Sequence, residues 1–93
     1  MAKFSLVVDP KVDETLQRLP DDQQVQLLEA LLALSVAPLP DGSRRKKLAG
    51  VKPPLYRLRE GDWRFIYRID GRTVRVLDLI RRRDLDDWLR RRR

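Results

Sequence analysis

The stretch LYRLREGDWRFIYRID, residues 55–70, decides how the rest of the chain is read. Apolar or aromatic residues alternate with polar ones, and most of the polar positions are arginine. Strict alternation is the period of a β-strand that buries one face. The turn residues EGD at 60–62 split the run into two strands, YRLR and WRFIYRI. DG at 70–71 is a two-residue hairpin signal, with positive φ expected at both positions, and it leads into a third strand, RTVRVLDLI at 72–80.

Opposed residues of an antiparallel hairpin share a face. A two-residue loop at Asp70-Gly71 sets Tyr67 opposite Val74, Phe65 opposite Val76 and Ile66 opposite Arg75. The first hairpin sorts the same way with its loop at either Glu60-Gly61 or Gly61-Asp62. One face then holds Tyr56, Leu58, Trp63, Phe65, Tyr67, Ile69, Val74 and Val76, a core face. The other holds Arg57, Arg59, Arg64, Ile66, Arg68, Arg75 and Leu77. The same parity carries Arg81 and Arg83 onto this second face, and a one-residue bulge would reverse the sorting beyond it. Five arginines side by side repel and contribute little to folding. They describe either a solvated outer face or a surface for a polyanion. Leu55 and Ile66 lie among them, and guanidinium groups beside apolar surface suit phosphates and stacked bases. On either reading Arg64 is expected on a solvated face, where truncation leaves no cavity.

Upstream, KFSLVV reads as a short strand with Phe4, Leu6 and Val8 on one side. Asp9 is placed to cap a helix that Pro10 opens, with Val12, Leu16 and Leu19 at helical spacing. Pro20 ends it. Asp21 with Gln24 is the pattern of a capping box for a second helix, whose apolar face is read as Val25, Leu28, Leu31, Leu32 and Ser35/Val36. The short link predicts an antiparallel helix pair. APLPDGS at 37–43 is a loop, and RRKKLAGVKPP at 44–54 a basic connector. At the C-terminus, DLDDWLRRRR predicts a short helix with Asp84 as cap and Leu85, Trp88 and Leu89 on one side, too short to stand undocked. The expected fold is α+β in one domain, residues 1–93: an N-terminal strand, an antiparallel helix pair on one face of a mainly antiparallel four-stranded sheet, and a short C-terminal helix.

The 93 residues contain no cysteine and no histidine, which removes disulfides, thiolate metal sites, and the usual acid–base group. No cofactor or metal is expected. The apolar run VQLLEALLALSVAPL is interrupted by Gln26 and Glu29, so it is read as an amphipathic helix rather than a membrane span. MAKFSLVVDP lacks the long apolar region of a signal peptide, and a cytoplasmic location is expected. The net charge of +7 divides unevenly: residues 1–43 carry 3 Lys/Arg against 7 Asp/Glu, and residues 44–93 carry 18 against 7. The basic half calls for an anionic partner. The excess of arginine over lysine, 16 to 5, has a compositional explanation as well, a GC-rich or thermophilic source.

The order strand, helix pair, three-stranded meander, short helix resembles the RelE/ParE toxins of type II toxin–antitoxin pairs. KKLAG at 46–50 is similar to the family's K-L-x-G connector, LYRLREGDWRFIYRID to its Y-R-x-R-x-G-x-aromatic-R hairpin, and IRRRD at 80–84 to its G-H-R-R-D segment. The resemblance implies a RelE-type mRNA endonuclease of the ribosomal A site, in which the RNA's own 2′-OH attacks the adjacent phosphate. It implies catalytic roles for Arg64 and Arg82 as phosphate stabilisers, with Arg57 and Arg59 near the family's alternating lysine pair. RNA contacts are expected at Lys46, Lys47, Lys52, Arg68, Arg75, Arg81, Arg83 and Trp88, the last where some members carry tyrosine. The implied partners are an acidic cognate antitoxin, the ribosome and mRNA, and no membrane. Arginine is no ordinary general base, and tryptophan cannot relay a proton, so the acid–base set is incomplete. Two other readings stand beside this one: a ParE-type toxin acting on DNA gyrase, and a non-catalytic module binding RNA and antitoxin. The short helices favour the RelE branch.

Overall fold

A computed structural model describes residues 3–92. Five strands, β1 (Ser5–Val8), β2 (Arg45–Lys47), β3 (Tyr56–Glu60), β4 (Trp63–Asp70) and β5 (Thr73–Arg81), form one sheet in the order β1-β5-β4-β3-β2. Only the β1–β5 pair is parallel. The α+β class is as expected, with one strand more: part of the basic connector, Arg45–Lys47, pairs with β3 and becomes an edge of the sheet. Three residues of low β-propensity hide such a strand from a periodicity argument.

Helices α1 (Pro10–Gln17) and α2 (Asp21–Ala33) cover one face. Asp9 caps α1 as its sequence indicates, Oδ1 accepting from the Lys11 N–H at 3.0 Å. The capping box at Asp21 does not form. Pro20 occupies the cap position, and Gln24 Nε2 instead donates back to the Leu19 carbonyl at 2.9 Å. The buried side of α2 is Leu27, Ala30 and Leu31, continued by Leu34 beyond its end. The expected stripe is mostly outside: Val25, Leu28, Leu32 and Val36 are exposed. This helix is apolar nearly all round, so spacing alone does not choose its inner side.

Both hairpin loops start with glycine at positive φ, Gly61 at 57° and Gly71 at 58°. The second loop is Gly71-Arg72, with Asp70 paired to Thr73, so Asp70 keeps ordinary strand geometry. Tyr67 therefore faces Val76, two residues on from the expected partner and on the same side. Phe65, Tyr67, Val74, Val76 and Leu79 fill the centre of the helical face with Val12, Leu16 and Leu27. The Tyr67 hydroxyl, fully buried, donates to the Pro38 carbonyl at 2.6 Å and ties the 37–43 loop to the sheet.

The opposite face is not bare. Ile66, Leu48, Val51, Leu55, Trp88 and Leu89 form a second core, with Leu77, Ile80 and Leu85 packed against it. A short 3₁₀ turn, Arg82–Asp84, leads into α3 (Leu85–Arg90), which lies on this side. Asp84 occupies the cap position of α3 without a side-chain cap bond. Burying each large apolar side chain contributes about 1.5–3 kcal/mol. That is what holds a six-residue helix that would not survive alone.

Burial raises the Tyr67 hydroxyl pKa above its ordinary 10.0. The unfolded chain thus loses this proton first as pH rises, and stability present below pH 10 declines above it. Replacing Tyr67 by Phe is expected to cost about 1–3 kcal/mol at pH 7 by leaving the Pro38 carbonyl unpaired. The gap between Tyr67→Phe and the unaltered protein should narrow above pH 10, because only the latter carries this linkage. Urea unfolding at pH 7 and pH 11 checks both.

Candidate nucleic-acid interface

The pairing of β4 with β5 slips by one residue between Ile66 and Tyr67. Tyr67 pairs with Val76 and Ile66 with Asp78, so Leu77 has no partner and bulges from β5. Before the slip, Val74 and Val76 face the helices and Arg75 faces away. Beyond it the parity is reversed: Leu79 opposite Phe65 joins the helical core, and Ile80 opposite Arg64 joins the second core. Arg81, opposite Trp63, turns to the helical side, where its guanidinium stacks 4.2 Å from the Trp63 ring and pairs with Asp62 at 3.2 Å. The expected place of Arg81 on the arginine face is therefore corrected. Arg82 takes that place, its backbone N–H donating to the Asp62 carbonyl at 2.9 Å.

The consequence is one open cavity of about 860 Å³ lined by Arg57, Arg59, Arg64 and Arg82, with Gly61, Asp62, Leu85 and Asp86 at its margins. Three separate elements deliver the four guanidinium groups. Arg57 lies opposite Ile66 and Arg59 opposite Arg64 across the first hairpin, and Arg82 enters from the 3₁₀ turn. Arg64 is buried, not solvated as expected: it is 7% exposed and donates from one terminal nitrogen to the Gly61 and Trp63 carbonyls, each at 2.9 Å. Two residues packed against the second core are near it: Ile80 is its partner on β5, and Leu85 lines the same cavity. Burial lowers the Arg64 pKa first, and the neighbouring charges of Arg57, Arg82 and Arg59 lower it further. Arg57 is lowered by burial and then by Arg59, while it donates to the Ser43 and Arg44 carbonyls at 3.1 and 2.9 Å. Each of these groups remains a cation near neutrality, in a setting that disfavours its charge. An anion in the cavity would offset the repulsion among these charges.

The remaining residues expected to touch RNA fall into separate places. Lys46, exposed, pairs with Arg57 across β2 and β3 and extends the basic surface to the sheet edge. Lys47 and Lys52 are exposed and line a different hollow, formed by the 47–54 connector. Arg68 and Arg75 sit beyond Ile66 on the same face and share the Asp70 carboxylate, each at 3.0 Å, so their charge is partly neutralised. Arg83 is exposed on the 3₁₀ turn. Trp88 is no stacking platform. It is 9% exposed, donates Nε1 to Asp78 at 2.8 Å, and has Arg92 4.1 Å from its ring centre. Leu55 and Ile66, which look like apolar surface among arginines, are core residues under α3. Leu77 and Ile80 in the same sequence carry the signal for that second core, since an outer face with this many large apolar side chains requires a cover.

A family model described as the ParE toxin of the type II toxin–antitoxin system parDE matches residues 6–86. No curated protein sequence matches significantly. Among solved structures, the archaeal RelE–RelB complex from Pyrococcus horikoshii contains a chain 30% identical, with a TM-score of 0.73, over 86% of this chain and 96% of that one. The RelBE toxin–antitoxin complex from Mycobacterium tuberculosis matches at 24% identity and TM-score 0.71, over 85% and 98%. A mutant E. coli toxin RelE in the free state matches at 22% and 0.70, over 96% and 93%; these last two show the fold alone. Both the family model and the archaeal likeness span nearly the whole α+β unit, and the chain belongs to the RelE/ParE superfamily of type II toxin–antitoxin toxins.

Proposed function

We propose that this toxin is a RelE-type endoribonuclease that cleaves mRNA on the ribosome and so stops translation. The carrying observation is the convergence of Arg57, Arg59, Arg64 and Arg82 on one cavity, when the neighbouring arginines Arg68, Arg75 and Arg81 are held by carboxylates. Attack of a 2′-OH on the adjacent phosphodiester builds negative charge on the non-bridging oxygens. Donors fixed in advance around that charge lower the barrier, because nothing needs to reorient as it develops. Arg64 and Arg57 each donate to two backbone carbonyls, and Arg64 is the more buried of the two. Arg59 and Arg82 are exposed and suited to grip the flanking backbone. Lys46 and Arg83 extend that grip, and a cavity of this size has room for a nucleotide with its phosphates.

The description of the matching family favours a second reading, a ParE-type toxin directed at DNA gyrase. The two separate in parallel assays: mapping of mRNA ends in a translating extract, and inhibition of supercoiling by gyrase. New mRNA ends at the ribosomal A site are expected, without gyrase inhibition. The reverse result selects the second reading.

An acidic antitoxin is the proposed partner, in keeping with the toxin–antitoxin complexes among the similar structures. Its acids would meet the basic cavity. Its apolar anchors are expected on the exposed row Val25, Leu28, Leu32 and Val36 of the second helix and its extension, not on Trp88, which is buried.

The cavity sets three quantitative outcomes. Neutralising about four phosphates of single-stranded RNA gives a log–log slope of affinity against salt near −3, measurable by fluorescence anisotropy. In ribosome-dependent cleavage, Arg64→Ala is expected to reduce the rate about 10²–10³-fold. That variant also loses stability, since Arg64 braces the first hairpin loop. The exposed Arg59→Ala should weaken binding and cleavage while the unfolding midpoint stays within about 0.5 kcal/mol of the unaltered protein.

A further inference from the structure

The arginine cavity is bordered by two acids, and they differ in how they are held. Asp62 is engaged by Arg81. Asp86, in the first turn of α3, is exposed at the cavity margin, and no hydrogen bond or ion pair among the described residues engages its carboxylate. Its neighbours in the basic half are mostly occupied: Glu60 by Arg44 and Gln26, Asp78 by Trp88, Asp87 by Arg90. A carboxylate that shares a cavity with four arginines weakens phosphate binding there, so its position asks for another use. Acid in a first helical turn has a small structural value of its own, about 0.3–1 kcal/mol.

The chemistry proposed above lacks a proton acceptor. Arginine is protonated throughout the working range, the sequence has no histidine, Lys47 and Lys52 line a different hollow, and Lys46, at the sheet edge opposite Arg57, is not among the residues that line the cavity. We infer that Asp86 is the general base of the reaction, a catalytic residue that takes the proton of the attacking 2′-OH. The inference rests on the nuclease reading. In the step it describes, the 2′-oxygen–phosphorus bond forms and the phosphorus–5′-oxygen bond breaks. The 2′-OH proton passes to the Asp86 carboxylate, solvent water supplies a proton to the departing 5′-oxygen, and the products are a 2′,3′-cyclic phosphate and a 5′-hydroxyl. The charged residues that line the cavity with Asp86 are Arg57 and Arg59 from β3, Arg64 from β4, Asp62 from the first hairpin loop and Arg82 from the 3₁₀ turn. The arginines hold the phosphate at the same cavity wall from which the base works, which is the juxtaposition general-base catalysis requires.

The test compares Asp86→Asn and Asp86→Glu with the unaltered full-length toxin. Single-turnover cleavage is measured on ribosomes programmed with a defined mRNA, and binding is measured with a 2′-deoxy-substituted RNA oligonucleotide that cannot react. Asp86→Asn is expected to cut about 10²–10⁴-fold more slowly while binding RNA as tightly or more tightly, since a negative charge is gone. Asp86→Glu, which keeps the carboxylate, should recover part of the rate. These opposite signs in binding and cleavage separate a base from a bystander. If Asp86→Asn binds tighter and cleaves as fast as the unaltered toxin or faster, Asp86 only repels phosphate and the assignment is overturned. Equal loss of RNA affinity and cleavage in both variants assigns Asp86 to structure and also overturns it. If the unaltered toxin itself leaves ribosomal mRNA intact, the nuclease reading fails first and takes this inference with it.

Discussion

Leu77 stands without a partner in the pairing of the two longest strands, and the layout of the basic half follows from that slip. A side-chain period of two means that one inserted residue exchanges the faces of everything beyond it. Leu79 thereby reaches the helical core, and Ile80 supports the second core. Arg81 is withdrawn to stack on Trp63, and Arg82 is delivered to the wall formed by Arg57, Arg59 and Arg64. Without the bulge, Leu79 would turn away from Phe65 and Arg81 would project among the other arginines. The same residue satisfies packing on both sides of the sheet and sets which cation enters the cavity.

Charge in this protein is sorted as well as abundant. At one end of the face, Asp70 ties Arg68 to Arg75; on the helical side, Asp62 holds Arg81. Exposed pairs of this kind add little stability, but each lowers the field its arginines project. Among the described residues the four cavity arginines have no such carboxylate pair; burial and then the charges of its arginine neighbours lower the pKa of Arg64, and burial and then Arg59 lower that of Arg57. Folding tolerates this repulsion in part because Arg64 is bound to two carbonyls. On the proposed nuclease reading, a phosphate bound in the cavity would offset this repulsion.

Much of this was legible in residues 55–70. Alternation and glycine-led turns predict the meander, and face parity brings Arg57, Arg59 and Arg64 together. Arg82 came from family resemblance, against the parity, and only the bulge reconciles the two. Bulges leave no period of their own in a sequence as apolar as VRVLDLI, where either register looks acceptable. The edge strand Arg45–Lys47 was hidden by its lysines, and the inner side of α2 by leucines on every side. The burial of Arg64 and Trp88 escapes a reading in which Leu55 and Ile66 are surface for bases, when these two with Leu77 on one face are better explained by a covering helix.

The central claim is that this cavity, and not the whole arginine face, seats the phosphate backbone. The most direct measurement is an NMR titration of the arginine Nε–H signals of the ¹⁵N-labelled toxin with a non-cleavable RNA oligonucleotide. Saturable shifts are predicted at Arg57, Arg59, Arg64 and Arg82, with Arg68, Arg75 and Arg81 following only weakly. Shifts concentrated at Arg68 and Arg75, or spread evenly over all seven, would contradict the account.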